Sequence, residues 1–220
     1  MLPQCRPLGH NGAMHEQAAS IAQTAAAIMA DEGLGYGMAK QMALKRLHLS
    51  PKTPLPDNTE VEEALREHIA LFHADECTQV LRAWREVALL WMQRLDAFHP
   101  YLFGSVWRGL ATRQSAVQIQ LFPDDGKSVE IDLLNRGVSF DIGQAPGLSG
   151  HGVDVLQVWH RCEPMAQDIS VLLWIEDREA IKQARSKDRL GRKLRGNTAS
   201  VQTILARDLL DPEDLASEST

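Results

Sequence analysis

The chain contains 220 residues, of which 44% are hydrophobic and 24% charged, a composition typical of globular domains. No apolar run approaches the roughly 18 residues of a membrane-spanning helix, and the N-terminal stretch lacks the apolar core of a signal peptide. The formal net charge of −6 excludes a chain that coats nucleic acid indiscriminately, although it leaves room for a local basic patch. Three scattered cysteines without a C-x-x-C pair favour a reducing compartment, so we expect a cytoplasmic protein with no membrane partner.

The first part of the chain is predicted to be helical. Apolar residues recur at helical spacing from Ile21 to Met29 and stop at the glycine cluster of residues 33–37. A second short helix, "MAKQMALKRL", ends before a linker whose prolines prevent a helix from continuing. Thr59 and Glu62 have the spacing of a capping box, which predicts that a third helix begins there.

The strongest periodic segment of the chain runs over residues 80–98, where apolar residues recur at intervals of three and four. This pattern predicts a long amphipathic helix that ends at the His-Pro pair that follows. Trp84 and Trp91 lie seven positions apart and therefore share one helical face. We expect this face to pack against the sheet domain or a partner helix.

The hydrophobic period changes after residue 100. "YLFGS" and the alternating "AVQIQLF" predict strands, as do "VSFDI", "VDVLQVWH" and "ISVLLWIE". "SVEIDLLNRG" fits a strand by its β-branched residues or a helix capped by Gly137, and both interpretations stay open at this point. From Glu179 to Leu210 the chain is predicted to be helical and charged.

Together these elements predict an α+β fold, with a helical N-terminal region followed by a small mixed sheet and C-terminal helices. The predicted division has three parts. It comprises a helical region in residues 1–99, whose last long helix packs on the sheet, a sheet domain in residues 100–177, and a basic helical segment with a polar tail in residues 178–220.

The turn after the first predicted strand has the composition of a phosphate-binding site. Gly104 allows the backbone to approach a ligand closely, and Ser105 supplies a hydroxyl group. A following helix favours an anion at its N-terminus, and Arg108 and Arg113 can add charge-assisted hydrogen bonds to the same phosphates. Taken alone, the G-S-x-x-x-G pattern is weak, because many strand–helix junctions need two glycines and bind nothing.

The surrounding pattern resembles the nucleotidyltransferase superfamily related to DNA polymerase beta. In that superfamily an apolar strand leads into G-S-x-x-x-G, and S-D-h-D-h follows, where h is apolar. The first part is matched at residues 104–109, and Ser115, Val117 and Ile119 match the second. The resemblance covers residues 103–122 closely and residues 101–176 loosely. It implies a nucleotide- or phosphate-binding site made of Gly104, Ser105, Arg108, Gly109, Arg113 and Ser115.

The departure from the superfamily falls on its metal ligands. There, the two aspartates of S-D-h-D-h hold Mg²⁺ on a nucleoside triphosphate, whereas this chain has Ala116 and Gln118. Alanine offers no ligand and glutamine a neutral carbonyl, while Mg²⁺ prefers hard, anionic oxygens. A two-metal site also needs negative charge to hold two dications about 4 Å apart. We therefore expect no metal at these positions and no cofactor.

Four other acids are candidates for relocated carboxylates. Glu130 and Asp132 alternate on one face if their segment is a strand, and Asp141 and Asp154 each lie on a later predicted strand. If such acids replaced the missing pair, magnesium would bind and the chain would be an active nucleotidyltransferase. The competing interpretation for all four is an ordinary solvated surface acid.

A basic stretch runs from Arg178 to Arg195, with eight basic residues against two acidic ones. It is predicted to contact a phosphate backbone, such as that of RNA, or a protein partner. The competing interpretation is a solvated helix that pairs with acidic segments of the chain. The stretch contains no aromatic residue, so it lacks a platform for stacking bases.

Three functional hypotheses follow. The first is a catalytically degenerate nucleotidyltransferase-like protein, a pseudoenzyme that binds a nucleotide or polyphosphate and has a regulatory or scaffolding role. The second is an active magnesium-dependent enzyme with relocated carboxylates. The third is a nucleic-acid or protein interaction module that works through residues 178–195, with the Gly-Ser turn serving only the fold.

Overall fold

The structure is a computed structural model that describes residues 10–72, 74–188 and 191–208. The chain divides into two compact units, Met1–Ala74 and Asp75–Thr220. The first unit is helical, and the second combines helices with a six-stranded mixed sheet. The predicted α+β class is confirmed. Within the described ranges, no helix is long and apolar enough to cross a membrane.

The first unit consists of α1 (His10–Glu32), α2 (Tyr36–Arg46) and α3 (Asn58–Phe72), and α1 packs against both of the others. The glycine cluster ends α1 as predicted, because Gly33 has a φ of +68°, a conformation that glycine adopts without strain. The buried side chains are small or aliphatic and repeat at helical spacing. They include Ile21, Ala25, Ile28, Ala43, Leu44, Val61 and Leu65.

The start of α3 differs from the prediction. The reciprocal capping bonds join Asp57 and Glu60: Asp57 Oδ1 accepts from the Glu60 N–H at 2.9 Å, and Glu60 Oε2 accepts from the Asp57 N–H at 2.7 Å. Thr59 is exposed, and Glu62 is buried and pairs with Arg66 one turn along the helix. The predicted capping pair was therefore wrong by two residues, since Thr-x-x-Glu and Asp-x-x-Glu patterns overlap in this segment.

The second unit begins with α4 (Ala74–Arg94) and a 3₁₀ turn at Asp96–Phe98. Its strands are β1 (Tyr101–Phe103), β2 (Val117–Leu121), β3 (Asp141–Pro146), β4 (Gly152–Cys162), β5 (Gln167–Ile175) and β6 (Gly196–Asn197). The remaining helices are α5 (Gly104–Arg108), α6 (Lys127–Asn135), α7 (Ile181–Ala184) and α8 (Thr198–Arg207).

The strand order is β3-β4-β5-β2-β1-β6, in which β2 and β5 are parallel and the other neighbours are antiparallel. One face of the sheet packs against α4 and α6 in a single apolar core. This core contains Trp84 and Trp91 of α4, so the long helix packs on the sheet. The unit boundary consequently lies before α4, whereas the sequence-based division placed this helix in the N-terminal region.

Three segments differ from their predicted form or resolve an open choice. Residues 127–135 are a helix, whose end is closed by Gly137 at a φ of +68° and by the Val138 N–H donating to Leu133 O at 2.9 Å. Since Val138 serves this cap, strand β3 begins only at Asp141. The predicted C-terminal helix is interrupted between α7 and α8, and Leu210 lies outside the described residues.

The opposite face of the sheet, here called the Gln118 face, is built from two rows of side chains that cross the strands. Paired residues of neighbouring strands point to the same face. The first row is Phe103, Gln118, Leu172, Gln157 and Asp141. The second row is Tyr101, Gln120, Trp174, Val155 and Gly143.

Replacement of Asp57 by alanine should lower the free energy of unfolding of the first unit by about 1 kcal/mol, because the Glu60 N–H loses its acceptor. Thr59→Ala is the matched control and should change the free energy of unfolding by about 0.5 kcal/mol at most, since Thr59 is exposed. Urea unfolding followed by far-UV circular dichroism measures both. A larger loss for Thr59→Ala than for Asp57→Ala would place the cap at Thr59, as the sequence had indicated.

Candidate functional site

The Gly-Ser turn forms the start of α5 directly after β1, and its glycine lies against the side chain of Gln118. Gly104 has a φ of +74°, and a Cβ at this position would lie 3.1 Å from Gln118 Nε2. Both the backbone angle and the space therefore require glycine here. Position 118, where the superfamily carries an aspartate, is thus next to the turn, but its side chain is a neutral amide.

In the rest of the G-S-x-x-x-G motif, Gly109 serves the fold, whereas Ser105 and Arg108 are partly exposed to solvent. Gly109 ends α5 with a φ of +77°, and its N–H donates to Ser105 O, so this glycine closes the helix. Among the described residues, the Ser105 hydroxyl makes no side-chain hydrogen bond, which leaves it able to bind a ligand.

Ser115 and Arg113, between α5 and β2, make hydrogen bonds that stabilise this connection. Ser115 is 7% exposed, and its Oγ accepts the Thr112 N–H at 3.0 Å. Its hydroxyl is therefore used by the fold, which does not support the role of phosphate ligand that the resemblance implied. Arg113 is exposed and exchanges contacts with Gln167, whose Nε2 donates to Arg113 O at 2.9 Å.

The residues paired with Gln118 on the two neighbouring strands, Phe103 and Leu172, are apolar. On the neighbouring strand β5, the residue opposite Gln118 is Leu172, with Ser170 and Trp174 before and after it on that face. An amide, a hydroxyl and apolar groups do not form the anionic oxygen shell that Mg²⁺ prefers. The donors at the superfamily's metal positions therefore do not fit the ion. Across the described residues, no three His, Cys, Asp or Glu side chains are grouped as metal ligands.

The four candidate acids are not brought to the turn. Glu130 pairs with Lys127 at 2.6 Å and Asp132 with Arg136 at 2.7 Å, both on helix α6 rather than on one face of a strand. Asp141 is in the same row as Gln118 but three strand spacings of about 4.8 Å away. Asp154 pairs with Gln144 at the outer edge of the sheet, where its Oδ1 accepts from Gln144 Nε2 at 3.3 Å.

The predicted basic stretch folds back beside the turn instead of forming one helix. Residues 185–188 and 191–195, here called the basic hairpin, pair with each other, as the Leu194 N–H donates to Ser186 O and the Asp188 N–H to Arg192 O. Arg189 lies outside the described residues. The hairpin is attached to the motif by Trp107, whose Nε1 donates to Lys193 O at 2.8 Å. It also reaches β1 through Arg185 Nε, 3.4 Å from the Tyr101 hydroxyl oxygen.

A buried polar chain holds the base of the hairpin on the Gln118 face. Arg195 Nε donates to Gln120 Oε1, Gln120 Nε2 donates to Glu176 Oε1 at 2.8 Å, and Glu176 Oε2 accepts the Leu148 N–H at 2.9 Å. Gln120 and Glu176 are 3% and 2% exposed, so these bonds replace the water that both side chains have lost. This series of hydrogen bonds fixes the position of the Arg195 guanidinium.

Arg195 and Arg108 are close enough to affect each other. Burial lowers the pKa of Arg195, the carboxylate of Glu176 raises it, and the positive charge of Arg108 lowers it again. Arginine nevertheless stays charged. Arg108 and Arg195 therefore both bring a guanidinium group to the neighbourhood of the Gly-Ser turn.

Sequence reasoning named Gly104, Ser105 and Arg108 as candidates, and these stay predictions, but it missed this chain of hydrogen bonds. Gln120 follows Gln118 by two positions, so strand alternation could have placed it on the same face. Nothing in the local sequence marks Glu176, which is separated from Gln120 by 56 positions and meets it only through the parallel pairing of β2 and β5.

Comparisons of this chain with protein-family models, with curated proteins and with solved structures found no match.

Gly104→Ala should cost about 1–2 kcal/mol of folding free energy from its left-handed backbone alone, and more because the new methyl group displaces Gln118. Gly137→Ala is the matched control: its φ is also positive, at +68°, but no atom lies within 4 Å of the added Cβ. Thermal unfolding compares the two variants. Adding Gln118→Ala to Gly104→Ala should recover the excess loss, and equal losses in both single variants would show that the turn does not press on Gln118.

Proposed function

We propose that this chain is a nucleotidyltransferase-like protein that binds a nucleotide or polyphosphate at the Gly104–Ser105 turn and does not catalyse metal-dependent transfer. Its role would then be regulatory or scaffolding. The observation that carries the proposal is the juxtaposition of Arg108, Arg195 and an accessible Ser105 hydroxyl beside a glycine turn.

Electrostatics favours an anionic ligand at this position. The guanidinium groups of Arg108 and Arg195 repel each other, and the partial burial of Arg195 makes this repulsion stronger than it would be in water. A phosphate between them would replace this repulsion with charge-assisted hydrogen bonds. Because the buried chain through Gln120 and Glu176 already holds Arg195, little side-chain entropy would be lost on binding.

The residues at the superfamily's metal positions support the loss of catalysis. Phosphoryl transfer in enzymes depends on metal ions that neutralise developing charge on the phosphates. Ala116, Gln118 and the facing Leu172 supply no anionic oxygen for such ions. The remaining groups can hold a phosphate chain, but none of them replaces the magnesium ions.

The other two hypotheses have less support from the geometry. The relocated carboxylates would have to act from helix α6, where Glu130 and Asp132 are each paired with a basic neighbour. The basic stretch, which the third hypothesis treated as separate, lies beside the turn through the contact of Trp107 with Lys193. Its charges are therefore part of the same proposed site.

The wild-type chain should bind ATP and inorganic tripolyphosphate with an affinity that magnesium does not increase. Arg108→Ala should weaken both about tenfold or more, because a charge-assisted hydrogen bond is lost, and Ser105→Ala should weaken both by a smaller factor. Isothermal titration calorimetry, with and without MgCl₂, gives these values.

Arg136→Ala is the charge-matched control and should leave binding unchanged, since Arg136 pairs with Asp132 on α6. Binding that requires magnesium and is abolished by Glu130→Gln or Asp132→Asn would instead establish the active enzyme. If neither compound binds, and a salt-sensitive association with single-stranded RNA depends on Lys187 and Lys193, the third hypothesis replaces the proposal.

The double variant Ala116→Asp with Gln118→Asp should acquire magnesium-dependent nucleotide binding. It places two carboxylates beside the turn, one of them at the position in contact with Gly104, and so supplies the anionic oxygens that the wild type lacks. Calorimetry of ATP with and without MgCl₂ checks the gain, and Ala116→Asn with Gln118→Asn is the uncharged control. Equal behaviour of the two double variants would argue against a scaffold derived from a metal-dependent site.

A further inference from the structure

A cleft of about 310 Å³ lies on the Gln118 face, beside the proposed phosphate site. It is formed over β3, β4 and β5, at the ends of the two rows of side chains described above. Its lining includes Asp141, Gly143, Val155, Gln157, Leu172 and Trp174. A volume near 300 Å³ with mostly apolar walls and a few polar groups suits a small organic ligand.

The cleft continues directly from the cationic end of the face. The guanidinium of Arg195 lies over the Phe103 ring at 6.0 Å, and the Phe103 ring meets Trp174 edge-on at 5.5 Å. Leu172, in the cleft wall, is opposite Gln118, which contacts the Gly-Ser turn. A ligand with an anionic end at Arg195 and a planar apolar end in the cleft would therefore extend along one face without crossing a strand edge.

Trp174 has an unused hydrogen-bond donor in this region. In the part of the chain that the structure describes, its Nε1 is buried and has no acceptor. Native structures leave few buried donors unpaired, because an unmade hydrogen bond costs about 1–3 kcal/mol. The neighbouring Gln157 donates its Nε2 to Ser170 Oγ at 3.1 Å, which leaves Oε1 as the acceptor of that amide.

We infer that this cleft holds the base of the nucleotide whose phosphates bind at the Gly104–Ser105 turn. The inference rests on the proposed function and adds where the base lies and which groups recognise it. A nucleobase is planar and carries both acceptors and donors on its edge. It complements Gln157 Oε1 as acceptor and, after a shift of the indole that brings the buried N–H to the cleft, Trp174 Nε1 as donor. The apolar walls formed by Val155 and Leu172 would cover its faces.

The test compares inorganic tripolyphosphate with ATP, GTP, CTP and UTP by isothermal titration calorimetry, using the whole chain without magnesium. At least one nucleotide should bind about tenfold more tightly than tripolyphosphate, the factor expected for one hydrogen bond and partial burial of the base. Trp174→Phe keeps the ring but removes the N–H, and should lower the affinity for that nucleotide severalfold while tripolyphosphate binding stays the same.

Trp159→Phe is the matched control, since Trp159 is on β4, is 61% exposed and does not line the cleft. Gly143→Leu is a second variant, which fills the cleft from the exposed strand β3. It should lower the affinity for the nucleotide and leave the affinity for tripolyphosphate unchanged.

Two results would overturn the inference in distinguishable ways. If tripolyphosphate binds, every nucleotide binds equally tightly and Gly143→Leu changes nothing, the base does not enter the cleft, while the proposed phosphate site stands. If neither tripolyphosphate nor any nucleotide binds, both the proposed function and this inference fail.

Discussion

The alternation of side chains along β2 decides both what the second unit packs around and what its other face can bind. Val117, Ile119 and Leu121 point into the apolar core shared with α4. Gln118 and Gln120 point the other way, one against the Gly-Ser turn and the other into the buried polar chain. A slip of one residue in the pairing of β2 would exchange these two sets of side chains, and would disrupt both the apolar core and the proposed site.

The neutral residues at positions 116 and 118 also bear on the charge of the proposed site. Carboxylates at positions 116 and 118 would place negative charge next to Arg108 and Arg195 and would need metal ions to hold a polyphosphate. With Ala116 and Gln118 at these positions, the proposed phosphate would bind Arg108 and Arg195 directly through charge-assisted hydrogen bonds. The proposed loss of metal binding and the proposed binding of phosphate without metal are thus two consequences of the same residues.

Glu176 places a carboxylate near Arg195 and, through Gln120, fixes the position of the Arg195 guanidinium. Its carboxylate bonds Gln120 and the Leu148 backbone, and Gln120 in turn bonds Arg195, so the basic hairpin is tied to β2 and β5 through side chains that water does not reach. Gly196, next in the chain, packs so closely on Trp107 that a Cβ there would come within 2.0 Å of its ring. Both contacts keep the hairpin beside the turn.

Much of the architecture followed from local patterns in the sequence. The periodicity of residues 80–98 indicated the long helix, alternation indicated β2, β4 and β5, and the two together indicated the α+β class. The Gly-Ser turn was also visible, because the conformational demands on Gly104 are local. Such features depend on spacing within a few residues, which a single sequence displays directly.

What the sequence could not decide depended on residues distant in the chain. The helical form of residues 127–135 was settled by burial of Val129 and Leu133 in the core that they share with α4 and the sheet. The union of the basic stretch with the turn arose from Trp107, Gln120 and Glu176, which come together only when β1, β2, β5 and β6 pair. The sequence by itself determined most of the elements and the neutral residues at positions 116 and 118, whereas only the tertiary structure decided which charged side chains lie close together, because electrostatic interaction depends on distance in space.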